Sequence, residues 1–83
     1  MNPGVKSVKA LKDYKLELEF VNGEKGGFSM KPYLNYPVYL PLKDYDLFKK
    51  AKATMGFVSW NEDIDMSPDN LYLECQFIEK HNA

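Results

Sequence analysis

The fold is decided by residues 14–30, which read YKLELEFVNGEKGGFSM. From Tyr14 to Phe20, apolar residues occupy every second position and charged residues fill the positions between them. This period of two is typical of a strand with one face buried and one face in water. The side chains that we expect to face the core are Tyr14, Leu16, Leu18 and Phe20.

The turn that follows contains Asn22 and Gly23, and Asn-Gly between two apolar runs is a strong hairpin signal. A two-residue loop would place Phe28 on the face of the glutamates, since a slip of one residue moves every side chain to the other face. A three-residue loop, residues 21–23, instead sets Phe28 opposite Leu16. The sequence therefore predicts the three-residue loop, with a bulge at Gly23. The pair Gly26-Gly27 in the return strand indicates a bend or a close backbone neighbour.

Further strand signals lie on both sides of this hairpin. Residues 5–11 predict a first strand, and residues 52–60 predict a second hairpin that turns at Gly56. The segment 33–41 is rich in aromatic residues and proline, so we expect a connector that crosses the sheet. A short edge strand at residues 38–40 is an alternative within that connector.

Two short helices are indicated by their first residues. Asp44 is expected to cap a helix over residues 45–51, because aspartate accepts hydrogen bonds from the free backbone N–H groups of a first turn. Ser67 is expected to cap a second helix that begins at Pro68, since proline is favoured at the first helical position. The fold class predicted from these elements is α+β: a small single domain of antiparallel β-hairpins with two short helices.

Length and composition support one domain over residues 1–83. A chain of 83 residues buries about 60–65% of the surface that its unfolded form exposes, so most of its apolar residues are needed for a single core. We expect an ordered core over about residues 5–78 and frayed ends at residues 1–4 and 79–83.

The charge balance argues against nucleic-acid binding by this chain alone. The formal net charge is −1, all 11 basic residues are lysines, and there is no arginine. Nucleic-acid binders gain affinity by neutralising phosphates, and arginine is the usual reader of guanine edges. The lysines at positions 6, 9, 12 and 15 are expected to form a solvated rim, with a phosphate-binding edge as the alternative.

No catalytic, metal-binding or cofactor-binding residue is predicted. Cys75 is the only cysteine and His81 the only histidine, which excludes an intramolecular disulfide, a cysteine-rich zinc site and a catalytic triad. Residues 63–74 place oxygen side chains as a calcium-binding EF-hand loop does, but Pro68 stands where that loop needs glycine. The acids of residues 62–69 are therefore expected in solvent, and the chain is not expected to be an enzyme.

The chain has no run of about 20 apolar residues, the length that spans a bilayer, and no apolar leader follows Met1. The sequence therefore predicts no membrane segment, and a cytoplasmic location follows by default.

A group of aromatic residues is the candidate contact surface. Tyrosine and tryptophan are enriched at protein interfaces, although in a chain this short the same rings could cover the core. The candidate partner-binding residues are Tyr33, Tyr36, Tyr39 and Trp60.

An ordered set of motifs from about Val5 to Tyr72 resembles the bacterial domain of unknown function 2442 family. The set comprises Leu16-x-Leu18-x-Phe20-x-Asn22-Gly23-Glu24, Phe28-Ser29-Met30, Pro41-Leu42-Lys43-Asp44, Leu47-Phe48, Trp60-Asn61 and Asp65-x-x-Pro68-Asp69-x-Leu71-Tyr72. The resemblance implies a compact α+β domain with two hairpin-like sheet elements and short helices, and it implies no catalytic residues. Ser29 departs from the family pattern, in which an aspartate is expected after the aromatic residue.

The resemblance also implies a protein partner. Some members are fused to a helix-turn-helix, for which we expect no room after Tyr72. Others are encoded beside a small protein of the domain of unknown function 4160 family, in a pairing that resembles a toxin–antitoxin module. The expected function is therefore a non-enzymatic protein-binding module, with the antitoxin-like partner of a small neighbouring-gene protein as its more specific form. The alternative is a nucleic-acid-associated regulator, and homo-oligomer formation stays open.

Overall fold

A computed structural model describes residues 2–78, which form two antiparallel sheets and two short helices around one core. The first sheet has the strand order β1-β2-β3-β7 and the second β4-β5-β6. The strands are β1 (Val5–Leu11), β2 (Lys15–Phe20), β3 (Lys25–Ser29), β4 (Lys52–Thr54), β5 (Phe57–Ser59), β6 (Asp65–Met66) and β7 (Gln76–Phe77); the helices are α1 (Tyr45–Phe48) and α2 (Pro68–Glu74). The predicted α+β class is confirmed.

The register of the first hairpin is confirmed. Leu16 lies opposite Phe28, and Glu19 lies opposite Lys25, so apolar residues meet apolar ones and opposite charges meet. Gly23 has a φ of 90°, a conformation that costs little for glycine alone. The loop is therefore the predicted three-residue one.

Tyr14 differs from the prediction, because β2 begins one residue later. It ends a 3₁₀ turn, Lys12–Tyr14, and its φ of 59° is left-handed. Its half-buried ring packs edge-on against Phe48, and its hydroxyl donates a hydrogen bond to the carbonyl oxygen of Lys43. The side chain thus packs against the core residue Phe48, in agreement with the prediction that it faces the core, although its backbone lies outside the strand.

Gly26 has the close backbone neighbour that the double glycine predicts. A Cβ placed there would lie 2.6 Å from the carbonyl oxygen of Gln76 and 2.9 Å from the Cα of Phe77. Those two residues form β7, which pairs with Gly26 and Gly27 at the edge of the sheet.

The second hairpin, β4-β5, turns at two residues with positive φ, Met55 at 52° and Gly56 at 87°. This is the backbone of a tight turn whose twist matches that of its strands. The carbonyl oxygen of Gly56 accepts a hydrogen bond from the N–H of Val5 at 2.9 Å. The predicted second hairpin is confirmed, and its tip joins the two sheets.

Two sequence predictions are wrong in part. No strand forms at residues 38–40, where the backbone runs through turns into a 3₁₀ segment, Leu40–Lys43. The helix predicted over residues 45–51 ends at Phe48, because the chain must extend to enter β4 at Lys52.

The core draws its apolar side chains from both sheets, both helices and the segment between β3 and α1. The buried residues are Val5, Leu16, Leu18, Phe20, Phe28, Met30, Leu34, Leu42, Phe48, Val58, Trp60, Ile64, Met66 and Leu71. Within residues 2–78, no helix is long and apolar enough to cross a membrane. Met1 and the end predicted to fray, residues 79–83, lie outside the described residues.

Candidate functional site

The segment between β3 and α1, residues 31–43, which we call the connector, is held by consecutive turns. The N–H of Tyr36 donates to the carbonyl oxygen of Tyr33 at 3.0 Å, and the N–H of Tyr39 donates to that of Tyr36 at 2.9 Å. Pro37 and Pro41 each fix a φ angle between these turns. The connector thus has a defined backbone without belonging to a sheet.

Aromatic rings form a continuous row that includes two side chains of the connector. Phe28 stacks on Tyr33 with centroids 5.5 Å apart, Tyr33 meets Tyr39 edge-on at 6.2 Å, and Tyr39 meets Trp60 at 6.5 Å. Trp60 then stacks on Phe48 at 6.4 Å. The structure therefore brings Tyr33, Tyr39 and Trp60 together, as a link between the two sheets and α1.

Trp60 is a core residue, which corrects the idea that it contacts a partner. Only 3% of it is exposed, and its indole N–H donates to the carbonyl oxygen of Phe48 at 3.0 Å. Burial of a large ring with its one donor satisfied is the ordinary arrangement for tryptophan in a core. Trp60 can support a contact surface from below but cannot form one.

Tyr33 and Tyr39 are half-buried, and their hydroxyl groups are already paired. The Tyr39 hydroxyl donates to the carbonyl oxygen of Asp65 at 3.2 Å, and the Tyr33 hydroxyl accepts from the amide of Asn70 at 3.5 Å. Burial raises the pKa of Tyr39, and the nearby Asp65 raises it further. Both tyrosines therefore fix the connector to the second sheet and α2 while keeping one ring edge outside.

Three apolar side chains of the connector project into solvent and define what we call the connector patch. The exposed fractions are 54% for Tyr36, 52% for Val38 and 43% for Leu40. Tyr36 was a sequence candidate, whereas Val38 and Leu40 were missed. The signal that could have found them is the spacing of Pro37 and Pro41. Because these prolines prevent a strand, the segment between them cannot bury every second side chain on the face of a sheet.

The connector itself carries lysines and no acidic side chain, although Asp65 of β6 lies beside Tyr39. The sequence from Lys25 to Lys43 contains no acidic residue, and Lys31 and Lys43 are exposed at the two ends of the connector. An apolar patch with a cationic rim is complementary to an apolar surface with an acidic rim.

A polar cluster joins the first hairpin to α2. The Tyr72 hydroxyl donates to Oε1 of Glu24 at 2.5 Å, and the Asn22 amide donates to the same oxygen at 2.6 Å. The hydrogen bond to Glu24 raises the pKa of Tyr72, since it stabilises the protonated hydroxyl. Oδ1 of Asn22 also accepts from the N–H of Glu24 at 3.1 Å. Each of these side chains already has a partner, so the cluster holds the hairpin loop in place.

The acids of residues 62–69 lie at the surface. Glu62, Asp63, Asp65 and Asp69 are all exposed, and within residues 2–78 no metal-binding group of three or more acids, histidines or cysteines occurs. Ser67 caps α2 by accepting from the N–H of Asn70 at 3.3 Å, with Pro68 in the first turn. In α1, the side chain of Asp44 accepts from the N–H of Asp46 in the same way.

Cys75 is half-buried beside β3, just before β7 begins, since its Sγ would lie 2.6 Å from a Cβ at Gly26. Burial raises the pKa of the thiol, and Glu24 raises it further. A thiol that stays protonated is a poor nucleophile. The other side chain considered for catalysis, His81, lies outside the described residues.

Two of the four lysines near the start of the chain, Lys6 and Lys9, face glutamates across the sheet. Lys9 lies opposite Glu17, and Nζ of Lys6 lies 3.9 Å from Oε2 of Glu19. The open face of this sheet therefore alternates in charge, which weakens the alternative of a phosphate-binding edge.

The family-model comparison matches residues 5–77 to a protein of unknown function, DUF2442. The chain belongs to the DUF2442 family. The matched range begins with the first residue of β1 and ends with the last residue of β7, so both sheets and both helices lie within the DUF2442 domain. No curated protein and no solved structure matches the chain. The family description gives the DUF2442 domain no activity, so its function must be argued from its surface.

Proposed function

We propose that this DUF2442 domain is a non-enzymatic module that binds another protein through the connector patch. The observation that carries the proposal is the exposure of three apolar side chains close together in the sequence, Tyr36, Val38 and Leu40, on a connector whose backbone is fixed by turns. Surface apolar residues scattered singly need no explanation, but a contiguous group on one segment is typical of an interaction site.

The rigidity of the connector favours binding. Ordering a loop on association costs free energy that is subtracted from the affinity. Here the turns, Pro37 and Pro41 have already ordered the connector, and Tyr33 and Tyr39 fix it to the rest of the fold. A partner would therefore meet a surface that is preformed.

The partner that we propose is the small protein encoded next to this chain, as the family resemblance implies. This chain would be the antitoxin-like member of the pair, and a shared cytoplasmic location is part of the same proposal. The lysines at the ends of the connector favour a partner surface that is apolar at its centre and acidic at its rim.

Co-expression with the neighbouring-gene protein, followed by size-exclusion chromatography at micromolar concentration, tests the proposal. We expect one complex for the wild type and separate elution for Tyr36→Ser/Val38→Ser. The matched control is Leu73→Ser, which removes an exposed apolar side chain from α2, outside the connector. Separate elution of the two wild-type proteins would count against the proposal, as would an intact complex with the double variant.

A further inference from the structure

An open groove of about 390 Å³ lies where β3 continues past Gln76, the first residue of β7. The residues of the groove that matter here are Leu11, Lys15, Gly27, Ser29, Tyr33 and Gln76. This edge groove is lined by the backbone of a strand edge, by apolar side chains and by one lysine. It is separate from the polar cluster at Glu24 and from the connector patch.

The edge of β3 is uncovered beyond Gly27. Strand β7 pairs with β3 at Gly26 and Gly27 only. The carbonyl oxygen of Lys25 accepts from the N–H of Ile78 at 2.9 Å, on the β7 side of β3. Since backbone groups alternate sides along a strand, Gly27 and Ser29 also direct N–H and C=O to that side. The backbone of Ser29 therefore points into the edge groove, past the last residue of β3 that β7 pairs with.

The floor of the groove is formed by small residues. A Cβ at Gly27 would contact nothing closer than the carbonyl oxygen of Leu16, at 3.9 Å. The next residue on the same face of β3 is Ser29, which is exposed and nearly as small. The groove therefore runs across β3, from its free edge to Lys15 on β2.

Lys15 is the cation of this face whose cross-strand neighbours carry no charge. It lies opposite Leu11 on one side and Ser29 on the other, whereas Lys9 and Lys25 each lie opposite a glutamate. Neither of the two ion pairs observed within residues 2–78 includes Lys15. Its side chain thus lines the groove and makes no ion pair with a carboxylate of the described residues.

We propose that the edge groove binds an extended peptide segment of the partner protein, which adds a strand at Ser29 and directs one carboxylate to Lys15. Addition of a strand to a free sheet edge is a recurring mode of peptide recognition, in which main-chain hydrogen bonds give affinity and side-chain positions give specificity. The residue opposite Ser29 shares the outer face with Ser29 and Lys15. Two strand spacings, about 10 Å, separate it from Lys15, and the small residues of β3 leave that path open.

The proposal deepens the proposed function, on which it rests for the nature of the partner. Tyr33 lines the groove and meets Tyr36 of the connector patch edge-on at 5.8 Å. An apolar partner surface on the patch and an extended segment in the groove can therefore belong to one continuous interface. Glu74 lines the opposite rim of the groove, so a segment with a single acid is favoured over a wholly acidic one.

The test uses the full chain labelled with ¹⁵N and a capped peptide of alternating valine and threonine with one central glutamate. We expect the amide signals of Gly27 and Ser29 to shift on titration, and the amide of Ser29 to exchange slowly with solvent only when peptide is bound. The same peptide with lysine in place of glutamate is the matched ligand. We expect it to bind about three- to fivefold more weakly, which is the upper part of the effect measured for one solvated charge pair.

The variants separate this proposal from the proposed function. Gly27→Val fills the floor and is expected to abolish the shifts, with Gly27→Ala as the smaller change if the valine variant does not fold. Lys15→Gln is expected to remove the preference for glutamate, with Lys12→Gln as its control. Tyr36→Ser/Val38→Ser should leave peptide binding unchanged. The proposal for the connector patch can therefore be contradicted while the proposal for the groove is supported, or the reverse.

Three results would overturn the proposal. The first is the absence of shifts at Gly27 and Ser29 up to about 5 mM peptide, which would mean a binding free energy weaker than about −3 kcal/mol. The second is equal affinity for the glutamate and lysine peptides. The third is a concentration-dependent shift of Ser29 in the protein without peptide, because a second copy of this chain would then occupy the edge.

Discussion

Tyr33 and Tyr36 meet edge to face at 5.8 Å between ring centroids, although one belongs to the core margin and the other to the surface. Tyr33 stacks on Phe28 and accepts a hydrogen bond from Asn70, whereas Tyr36 leaves more than half of its surface in solvent. Tyr33 therefore belongs to the aromatic rings that stabilise the fold, whereas Tyr36 belongs to the proposed contact surface. Substitutions in these two groups should have different effects.

Trp60 and Tyr36 should differ sharply in their effect on stability. Trp60→Ala leaves a cavity and removes one of the two hydrogen bonds to the carbonyl oxygen of Phe48, whose other donor is the N–H of Ala51. We therefore expect the free energy of unfolding to fall by about 3–5 kcal/mol. Tyr36→Ala should change it by about 0.5 kcal/mol or less, as for most surface substitutions. Urea denaturation of both variants measures the difference. Similar losses of unfolding free energy for both variants would contradict the assignment of Trp60 to the core and Tyr36 to the surface.

The two adjacent glycines of β3 should respond in opposite directions to the same added methyl group. Gly26→Ala places a Cβ against the backbone of β7, and we expect a loss of about 1–3 kcal/mol. Gly27→Ala meets open space, so it should be neutral or stabilise by about 0.5–1 kcal/mol, since alanine restricts the unfolded chain. Thermal unfolding compares them, and equal changes would show that β7 does not lie against Gly26.

Stability should fall at high pH through Tyr72. Its pKa in the folded state is raised above the ordinary value of 10.0 by the hydrogen bond to Glu24, so the bond stabilises the fold fully below pH 10. The stabilisation is lost as pH rises through the raised pKa, because the unfolded chain then releases the proton more readily. Denaturation of wild type and Tyr72→Phe from pH 8 upward measures this, with Tyr36→Phe as the control. We expect the two curves to converge above about pH 10; a constant gap would exclude the assigned cause.

Cys75 should react slowly with alkylating reagents. Burial and Glu24 raise its pKa above the ordinary value of 9.0, so the thiolate is scarce near neutral pH and the sulfur is partly covered. We expect iodoacetamide to modify the folded chain more slowly than the urea-unfolded chain at pH 8, with the rate still rising above pH 9. Mass spectrometry follows the reaction. Equal rates in the two states would mean that β7 leaves the thiol open.

The sequence was sufficient to predict those parts of the fold in which residues close together in the chain restrict one another. The register of the first hairpin follows from the alternation in β2 and from the need to pair Leu16 with Phe28, since each alternative exposes apolar residues. The two helix starts were predictable for a similar reason, because Asp44 and Ser67 act on backbone groups only two or three residues away.

Features that depend on distant partners were not predictable. Two residues, Gln76 and Phe77, are too few for a periodic pattern, and they form β7 only because Gly26 leaves space for their backbone. The burial of Trp60 depends on a carbonyl oxygen twelve positions earlier in the chain. The sequence could name the aromatic candidates, but only the packing separates Trp60 from Tyr36.

The most direct measurement is the affinity of the neighbouring-gene protein for this chain, determined by isothermal titration calorimetry. We predict that Tyr36→Ser/Val38→Ser weakens binding at least about tenfold, or about 1.4 kcal/mol, while Leu73→Ser binds as the wild type does. Equal affinities for all three proteins would contradict the claim that the connector patch is the binding surface.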